Sequence, residues 1–308
     1  MTQITEVAAA VIERGGEFLL AQRPEGKPYA GYWEFPGGKI EADEDPRAAL
    51  VRELREELGI EVRAATPWIT RVYAYTHATV RLHFFRVATW DGEPQPLEDQ
   101  AIRWQRVGAT EVSPMLPANA PVLAALALPG VMVVSNAAAA GIEGWIQALA
   151  ARAMGEKMLV QIRESGMERM KVQHLLSRAL TRAEPLGSVI VVNSDSGSFP
   201  QCRGVHLTSK ALMAATARPD GALVGASCHD EAQLRQAEAL ALDYVVVGPV
   251  NATASHPDAR PLGWERLETL IRGLSMPVYA IGGLTRDDLG EAKRRGAHGV
   301  ALLRAAFS

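Results

Sequence analysis

Residues 38–60 read GKIEADEDPRAALVRELREELGI. Asp45 is a favourable N-cap and Pro46 fits the first helical position. Leu50, Val51, Leu54 and Leu58 recur at spacings of three and four, so the stretch predicts a helix with one apolar face. Glu53, Glu56 and Glu57 share another face within one turn. Arg52 precedes Glu56 by four residues and can pair with it. Gly59 suits the C-cap, where a left-handed backbone ends a helix.

Carboxylates this close repel by roughly a few tenths of a kcal/mol per pair. A divalent cation removes that penalty, and hard oxygen ligands suit Mg²⁺, with Mn²⁺ the other candidate. The glutamates alone are more readily a solvated acidic face; the frame around them points further. Gly38, Glu44, Arg52-Glu53-Leu54, Glu56-Glu57 and Gly59-Ile60 fall at spacings that resemble the Nudix box at every fixed position. The stretch is therefore identified as that of a Nudix pyrophosphohydrolase.

Composition sets the outer bounds. The 308 residues are 48% hydrophobic and 22% charged, with a net charge of −3. That is ample for two soluble domains and gives no basic surface for a nucleic-acid polymer. Two cysteines, Cys202 and Cys228, are too few for a disulfide framework, in keeping with a reducing cytoplasm. Glu6, Glu13 and Arg14 interrupt any apolar leader, and no apolar run reaches membrane-spanning length.

Around the box, Val7 to Ile12 and Glu17 to Gln22 read as strands joined by a turn at Gly15-Gly16. Arg23-Pro24 breaks the second strand. Residues 27–33 form a Gly/Pro/aromatic loop leading into Glu34-Phe35-Pro36-Gly37-Gly38, where glycines permit close approach of backbone to ligand. Trp68 to Tyr75, Val80 to Thr89 and Ala101 to Val107 are further strands, and Ala118 to Leu128 a closing helix. The order fits an α/β/α sandwich around a mixed sheet.

The likeness over Ile4 to Leu128 is to the MutT-type members, which hydrolyse 8-oxo-dGTP to 8-oxo-dGMP and pyrophosphate. It rests on Arg23 after the second strand, on WEFPGGK at 33–39, on PANAPV at 117–122, and on Glu98 in LEDQ. The resemblance implies substrate contacts from Arg23, Glu34, Phe35, Pro36, Gly37 and Asn119, the last reading the purine. It implies metal ligation by Gly37 and Gly38 carbonyls with Glu53, Glu56, Glu57 and Glu98. It further implies water attack at the β-phosphorus, with Glu53 or Glu98 taking the proton. Arg52 would orient glutamates, and Glu44 would support the helix start. Asn119 is also a good helix N-cap. The segment YTHATV at 75–80 departs from the group's pattern, and His77 there reads as a solvent-facing loop residue.

Leu128-Pro129-Gly130 reads as a linker, dividing the chain into domains 1–129 and 130–308. Beyond it, short apolar strands start at or near Val131, Met158, Ser188, Gly204, Ala222, Tyr244, Val278 and Gly299, mostly with helical segments between. Apolar strands of this kind belong to a parallel sheet, and eight of them predict a (β/α)₈ TIM-type barrel with ligands at the C-terminal strand ends. QIR at 161–163, VVN at 191–193, GVHL at 204–207, GASCH at 225–229, DYVVVGPV at 243–250 and AIGGL at 280–284 are together similar to thiamine-phosphate synthase and its tautomerase relatives. The likeness implies a phosphate cradle from Gly282 and Gly283 with Leu303 and Arg304, built from N–H groups at a helix N-terminus.

Departures from that pattern argue against synthase chemistry. The lysine expected after QIR is missing from Glu164-Ser165-Gly166. The acidic metal ligand expected after GVHL is missing from Thr208-Ser209-Lys210-Ala211. The lysine of Thr-x-Thr-Lys is absent from Thr253-Ala254-Ser255-His256. Each lost charged hydrogen bond removes roughly 1.5–3 kcal/mol of pyrophosphate binding. His206, His229 and His256 are candidates for acid–base work, though lone histidines are more often structural. Two overall readings follow. One is an 8-oxo-dGTP diphosphatase whose barrel has lost or changed catalysis, the barrel reading further as a non-catalytic phosphate-ligand module that regulates or stabilises the enzyme. The other is a Nudix hydrolase of thiamine-pathway pyrophosphates with an active barrel.

Overall fold

The computed structural model describes residues 4–202, 204–253 and 260–307. They form two compact units, residues 1–127 and, apart from 272–275, residues 128–308.

In the first unit, β1 (Ile4–Arg14) and β2 (Glu17–Gln22) are joined through Gly15-Gly16. β3 (Trp33–Glu34), β4 (Gly37–Lys39), α1 (Pro46–Leu58), β5 (Glu61–Ala74), β6 (Thr79–Asp91), β7 (Ile102–Arg106) and α2 (Ala120–Leu126) follow. β1 pairs parallel with β6 and antiparallel with β2 and β4, so the sheet is mixed. Alternation along β1 builds both layers. Ala8, Ala10 and Ile12 pack under Ala49, Leu50, Leu54 and Leu58 of α1. Ala9 and Val11 face the other way, with Trp33, Phe35 and the α2 residues Val122, Ala125 and Leu126. Each fully buried leucine of α1 contributes roughly 1.5–3 kcal/mol.

The expected helix α1 is present with both caps. Asp45 accepts from the N–H groups of Arg47 and Ala48 at 2.9 and 3.2 Å. Gly59 is left-handed (φ 66°) and its N–H reaches the Arg55 carbonyl at 3.0 Å. Ala49 rather than Val51 completes the buried stripe. β5 begins at Glu61, well before Trp68, because Pro67 sits at a register shift where the missing N–H costs no ladder bond.

The second unit contains β8 (Val131–Val134), α3 (Ala137–Ala140), α4 (Ile142–Ala153), β9 (Leu159–Ile162), α5 (Arg169–Ala183) and β10 (Val189–Asn193). It continues with β11 (Gly204–Leu207), α6 (Ser209–Ala214), β12 (Leu223–Cys228), α7 (Glu231–Ala239) and β13 (Tyr244–Val247). It ends with α8 (Gly263–Ile271), β14 (Val278–Ile281), α9 (Leu289–Arg294) and β15 (Gly299–Leu302). The eight strands are parallel and close into a barrel. Its interior holds Met132, Leu159, Val191, Tyr244, Val246, Tyr279 and Ala301. A short 3₁₀ turn at Ser194–Ser196 is the one helical turn described between β10 and β11. No described helix is long and apolar enough to cross a membrane.

Candidate functional site

The turn between β3 and β4 brings the first unit's polar residues together. Gly37 has φ 138°, and a side chain there would meet the Ala8 carbonyl oxygen at 2.1 Å. A side chain on Gly38 would meet the Glu53 carboxylate at 2.2 Å. Glycine therefore seats this turn on β1 at Gly37 and against α1 at Gly38. The Gly37 N–H donates to Glu57 at 3.1 Å. The Pro36 carbonyl accepts from Ala10 N–H at 2.8 Å. Pro36 thus belongs to the frame and is absent from the lining of the cavity that opens beside it.

That cavity is about 530 Å³, and Arg23, Glu34, Phe35, Gly37, Gly38, Glu53, Glu57 and Asn119 all line it. Arg23 donates from Nη1 to both Glu34 oxygens at 2.7 Å and from Nε to the Pro28 carbonyl at 2.8 Å. Burial pushes the Glu34 carboxyl up, against the pull of Arg23. Phe35 is buried, with its ring 5.8 Å from Phe18 and 5.6 Å from Phe84.

Asn119 is no helix cap. Its backbone is helical and its side chain makes no cap hydrogen bond. The residue is 4% exposed, and Nδ2 reaches the Trp33 carbonyl only at 3.5 Å.

Arg52 gathers the box. It donates to Glu44 at 2.9 and 3.1 Å, to Glu53 at 2.9 Å, to Glu56 at 3.2 Å and to the Lys39 carbonyl at 3.1 Å. Those carboxylates hold its own pKa well up, Glu44 foremost. In return, Arg52 first of all holds Glu44 below the usual carboxylate range. Arg52→Ala is expected to cost roughly 10–100-fold in turnover, as loss of an orienting residue does. Pyrophosphate release together with circular dichroism checks this; unchanged turnover in a folded variant would contradict it.

Glu57 is pushed up to about 8, by burial first and then by Glu34, Glu53 and Glu98 against the Gly37 hydrogen bond. Such crowding of negative charge in a low-dielectric wall is what a divalent cation relieves. The donor set of hard oxygens suits Mg²⁺ or Mn²⁺. Among the described residues, however, no three carboxylate, histidine or cysteine side chains are already gathered as a metal cluster. Glu53 and Glu56 are turned onto Arg52. Glu98 pairs with Lys27 at 3.6 Å and does not line the cavity, whereas Lys27 does.

An aromatic group also lines the cavity. Tyr29, Tyr75 and His77 lie with ring centroids 5.4 to 5.8 Å apart. Tyr29 is held at φ 62°, an uncommon conformation for a bulky residue. His77 is exposed, as expected of a loop residue, yet faces this group. Burial pushes the Tyr75 phenol up to about 12, Glu34 adding to it. The rings come from two separate loops, and no spacing in the sequence announces their meeting.

In the second unit a cavity of about 540 Å³ opens at the C-terminal strand ends, lined by Arg163, Asn193, Ser227, His229, Gly282, Gly283, Leu303 and Arg304 among others. The expected cradle residues therefore line one cavity. Among the described residues no helix N-terminus stands at these positions. A turn follows β15, and Gly283 leads into a 3₁₀ turn at Arg286–Asp288 before the short α9. Glu164 is buried and accepts from Ala137 and Ala138 N–H at 2.7 and 2.9 Å, holding the start of α3. Lys210 is exposed and does not line the cavity. His256 lies outside the described residues.

Comparison with known proteins gives a family for each part of the chain. Residues 3–126 match the NUDIX domain family, and residues 131–306 match thiamine monophosphate synthase. The N-terminal part is 44% identical to a CTP pyrophosphohydrolase of Escherichia coli, over 40% of this chain and 91% of that protein. It is 39% identical to an 8-oxo-dGTP diphosphatase of Haemophilus influenzae, over 38% and 88%. The C-terminal part is 34% identical to a thiamine-phosphate synthase of Pelotomaculum thermopropionicum, over 47% and 69%. The chain is a Nudix hydrolase of the MutT type whose C-terminal half belongs to the thiamine monophosphate synthase family.

Proposed function

We propose that the N-terminal domain hydrolyses 8-oxo-dGTP to 8-oxo-dGMP and pyrophosphate, clearing a damaged nucleotide from the cytoplasmic pool. The observation that carries this reading is one cavity holding both Arg23, Phe35 and Asn119 and the acidic pair Glu53 and Glu57. Glu53, Glu56, Glu57 and Glu98, with the Gly37 and Gly38 carbonyls, would hold Mg²⁺ or Mn²⁺, which when bound neutralises charge on the triphosphate.

The chain's own residues do the rest. Nη1 and Nε of Arg23 are spent on Glu34 and Pro28, which leaves Nη2 to donate to an acceptor on the base. Asn119 directs Nδ2 towards Trp33 and leaves Oδ1 to accept from a base N–H. Tyr29 and Tyr75 supply ring surface beside these groups. Glu53 or Glu98 takes the proton as water adds to the β-phosphorus. The bond from that phosphorus to the α–β bridging oxygen breaks, and the monophosphate and pyrophosphate leave.

Asn119→Ala is expected to lower kcat/KM for 8-oxo-dGTP about tenfold, one hydrogen bond being worth roughly 0.5–1.5 kcal/mol. The loss with dATP should be smaller; equal losses would remove Asn119 from base recognition. Cytosine presents an amino donor beside a ring-nitrogen acceptor, which the same two residues also suit. The likeness to a CTP pyrophosphohydrolase therefore makes CTP the second substrate to test. Thiamine-pathway pyrophosphates are supported by the domain fusion alone.

For the barrel, the proposed role is a non-catalytic module for a phosphate-bearing ligand. Arg163, Gly282, Gly283 and Arg304 on one cavity support it, and the departures at Ser165 and Lys210 weigh against pyrophosphate chemistry. The alternative is an active thiazole- or thiamine-phosphate barrel.

A further inference from the structure

Lys27 Nζ lies 3.6 Å from Glu98 Oε2, with both side chains nearly half exposed. Lys27 lines the N-terminal cavity and Glu98 does not. The two come from different loops, Lys27 between β2 and β3 and Glu98 between β6 and β7. Both main chains are fastened. Glu98 N–H donates to Gln100 Oε1 at 2.7 Å, and Gln100 Nε2 donates to the Glu57 carbonyl at 2.9 Å. Leu97 N–H reaches the same carbonyl at 3.0 Å. Gln100 is 7% exposed, so a buried amide ties the Glu98 loop to the last turn of α1. On the other side, the Pro28 carbonyl next to Lys27 accepts from Arg23 Nε at 2.8 Å. The backbones are thus held, while the two long side chains reach solvent, where rotamers exchange rapidly.

Charge decides where these side chains turn. Burial raises the Glu34 carboxyl, and the Lys27 ammonium joins Arg23 in working against that rise. Glu98 is, after burial, Glu34 and Glu53, a further influence that raises Glu57. Lys27 therefore acts on the same crowd of carboxylates to which Glu98 belongs. An exposed lysine–carboxylate pair is weak, whereas a divalent cation is the largest local charge wherever it binds. Once Glu98 turns to such a cation, an ammonium at the same carboxylate is repelled. Arg23 is already engaged with Glu34 and Pro28. Lys27 would then be a mobile charge on a flexible stem in the cavity wall, a form that suits phosphate.

We propose that Glu98 exchanges Lys27 for a divalent cation, and that Lys27, once released, binds the phosphates of the incoming nucleotide. This rests on the reading of Glu98 as a metal ligand in a nucleoside triphosphate hydrolase. Glu98 thereby couples two events: as its carboxylate turns away, a positive charge passes to the cavity where negative charge arrives. The exchange gives Lys27 two effects of opposite sign. It opposes metal binding and favours nucleotide binding. A surface ion pair alone gives only the first effect, and a fixed phosphate contact only the second.

Calorimetry on the full chain separates these cases. The probes are Mn²⁺ alone and, at saturating Mn²⁺, α,β-methylene-dGTP, whose P–C–P bridge resists cleavage. Lys27→Met keeps the stem and removes the charge, at a position exposed enough for the fold to tolerate it. It is expected to bind Mn²⁺ about two- to fivefold more tightly, the range of an exposed ion pair. It should bind the analogue about tenfold more weakly, as for one lost hydrogen bond to a charged group. Lys27→Arg should restore analogue binding. Glu98→Gln should weaken Mn²⁺ binding, and in that background Lys27→Met should no longer improve it. Tighter Mn²⁺ binding with unchanged analogue affinity overturns the phosphate contact. Weaker analogue binding with unchanged Mn²⁺ affinity overturns the exchange. Mn²⁺ affinity untouched by Glu98→Gln, or a parent chain that does not bind the analogue, sinks the metal-site or the nucleotide reading on which the proposal rests.

Discussion

Glu57→Gln is expected to lower pyrophosphate release by roughly two to three orders of magnitude, because charge stabilisation at such a site is worth several kcal/mol and 1.36 kcal/mol is tenfold in rate. The substitution keeps shape but removes the charge beside the Gly37 N–H. It should not unfold the chain, because glutamine in that wall carries no charge to bury. The metal-free protein gives an independent readout. The folded value of Glu57 lies near 8, above the ordinary 4.5, so the folded state holds this proton more tightly than the unfolded chain. Its contribution to stability is fully present below 4.5 and is lost as pH rises through about 8. With EDTA present, the melting temperature of the parent should therefore fall over that window relative to Glu57→Gln. Near-normal turnover in the variant, or parallel melting profiles, would remove Glu57 from the charged centre.

Gly38→Ala is the second large effect, and it works without changing any charge. The new methyl group would fall 2.2 Å from the Glu53 carboxylate, so the carboxylate must swing away from its place beside Arg52. The clash is with the end of a side chain rather than with backbone, so the fold can absorb it. Turnover should fall on the order of a hundredfold, near the effect of misplacing a group by about 1 Å. Circular dichroism should stay unchanged. Gly37→Ala differs: the clash is with the Ala8 carbonyl and φ is 138°, so this variant should lose stability as well. A fully active Gly38→Ala would mean that the position of Glu53 does not matter.

Much of this architecture is visible in the sequence because it depends on local rules. Asp45, Pro46 and Gly59 announce both ends of α1, and the eight apolar strands of the barrel are punctuated by turns and helices. Arg52 is also legible, since its partners Glu53 and Glu56 are helix neighbours; Glu44 joins them because the preceding loop folds back. What stays hidden arises from contacts between distant segments. The strand β5 runs through Pro67, which composition marks as a breaker but which a register shift accommodates. Tyr29 meets Tyr75 only once the sheet is assembled. His206 of β11 meets Tyr244 of β13 inside the barrel only with β11, β12 and β13 in register and Gly225 making room. The cradle residues read as lying at a helix N-terminus, whereas among the described residues a turn follows β15.

The measurement closest to the central claim is pyrophosphate release with Mg²⁺ from 8-oxo-dGTP, dGTP, dATP, CTP, thiamine diphosphate and hydroxymethylpyrimidine diphosphate, side by side on the full chain. The expected result is the highest kcat/KM for 8-oxo-dGTP, with that preference reduced in Asn119→Ala. A preference for the thiamine-related compounds would contradict it, and would join the two domains in one pathway.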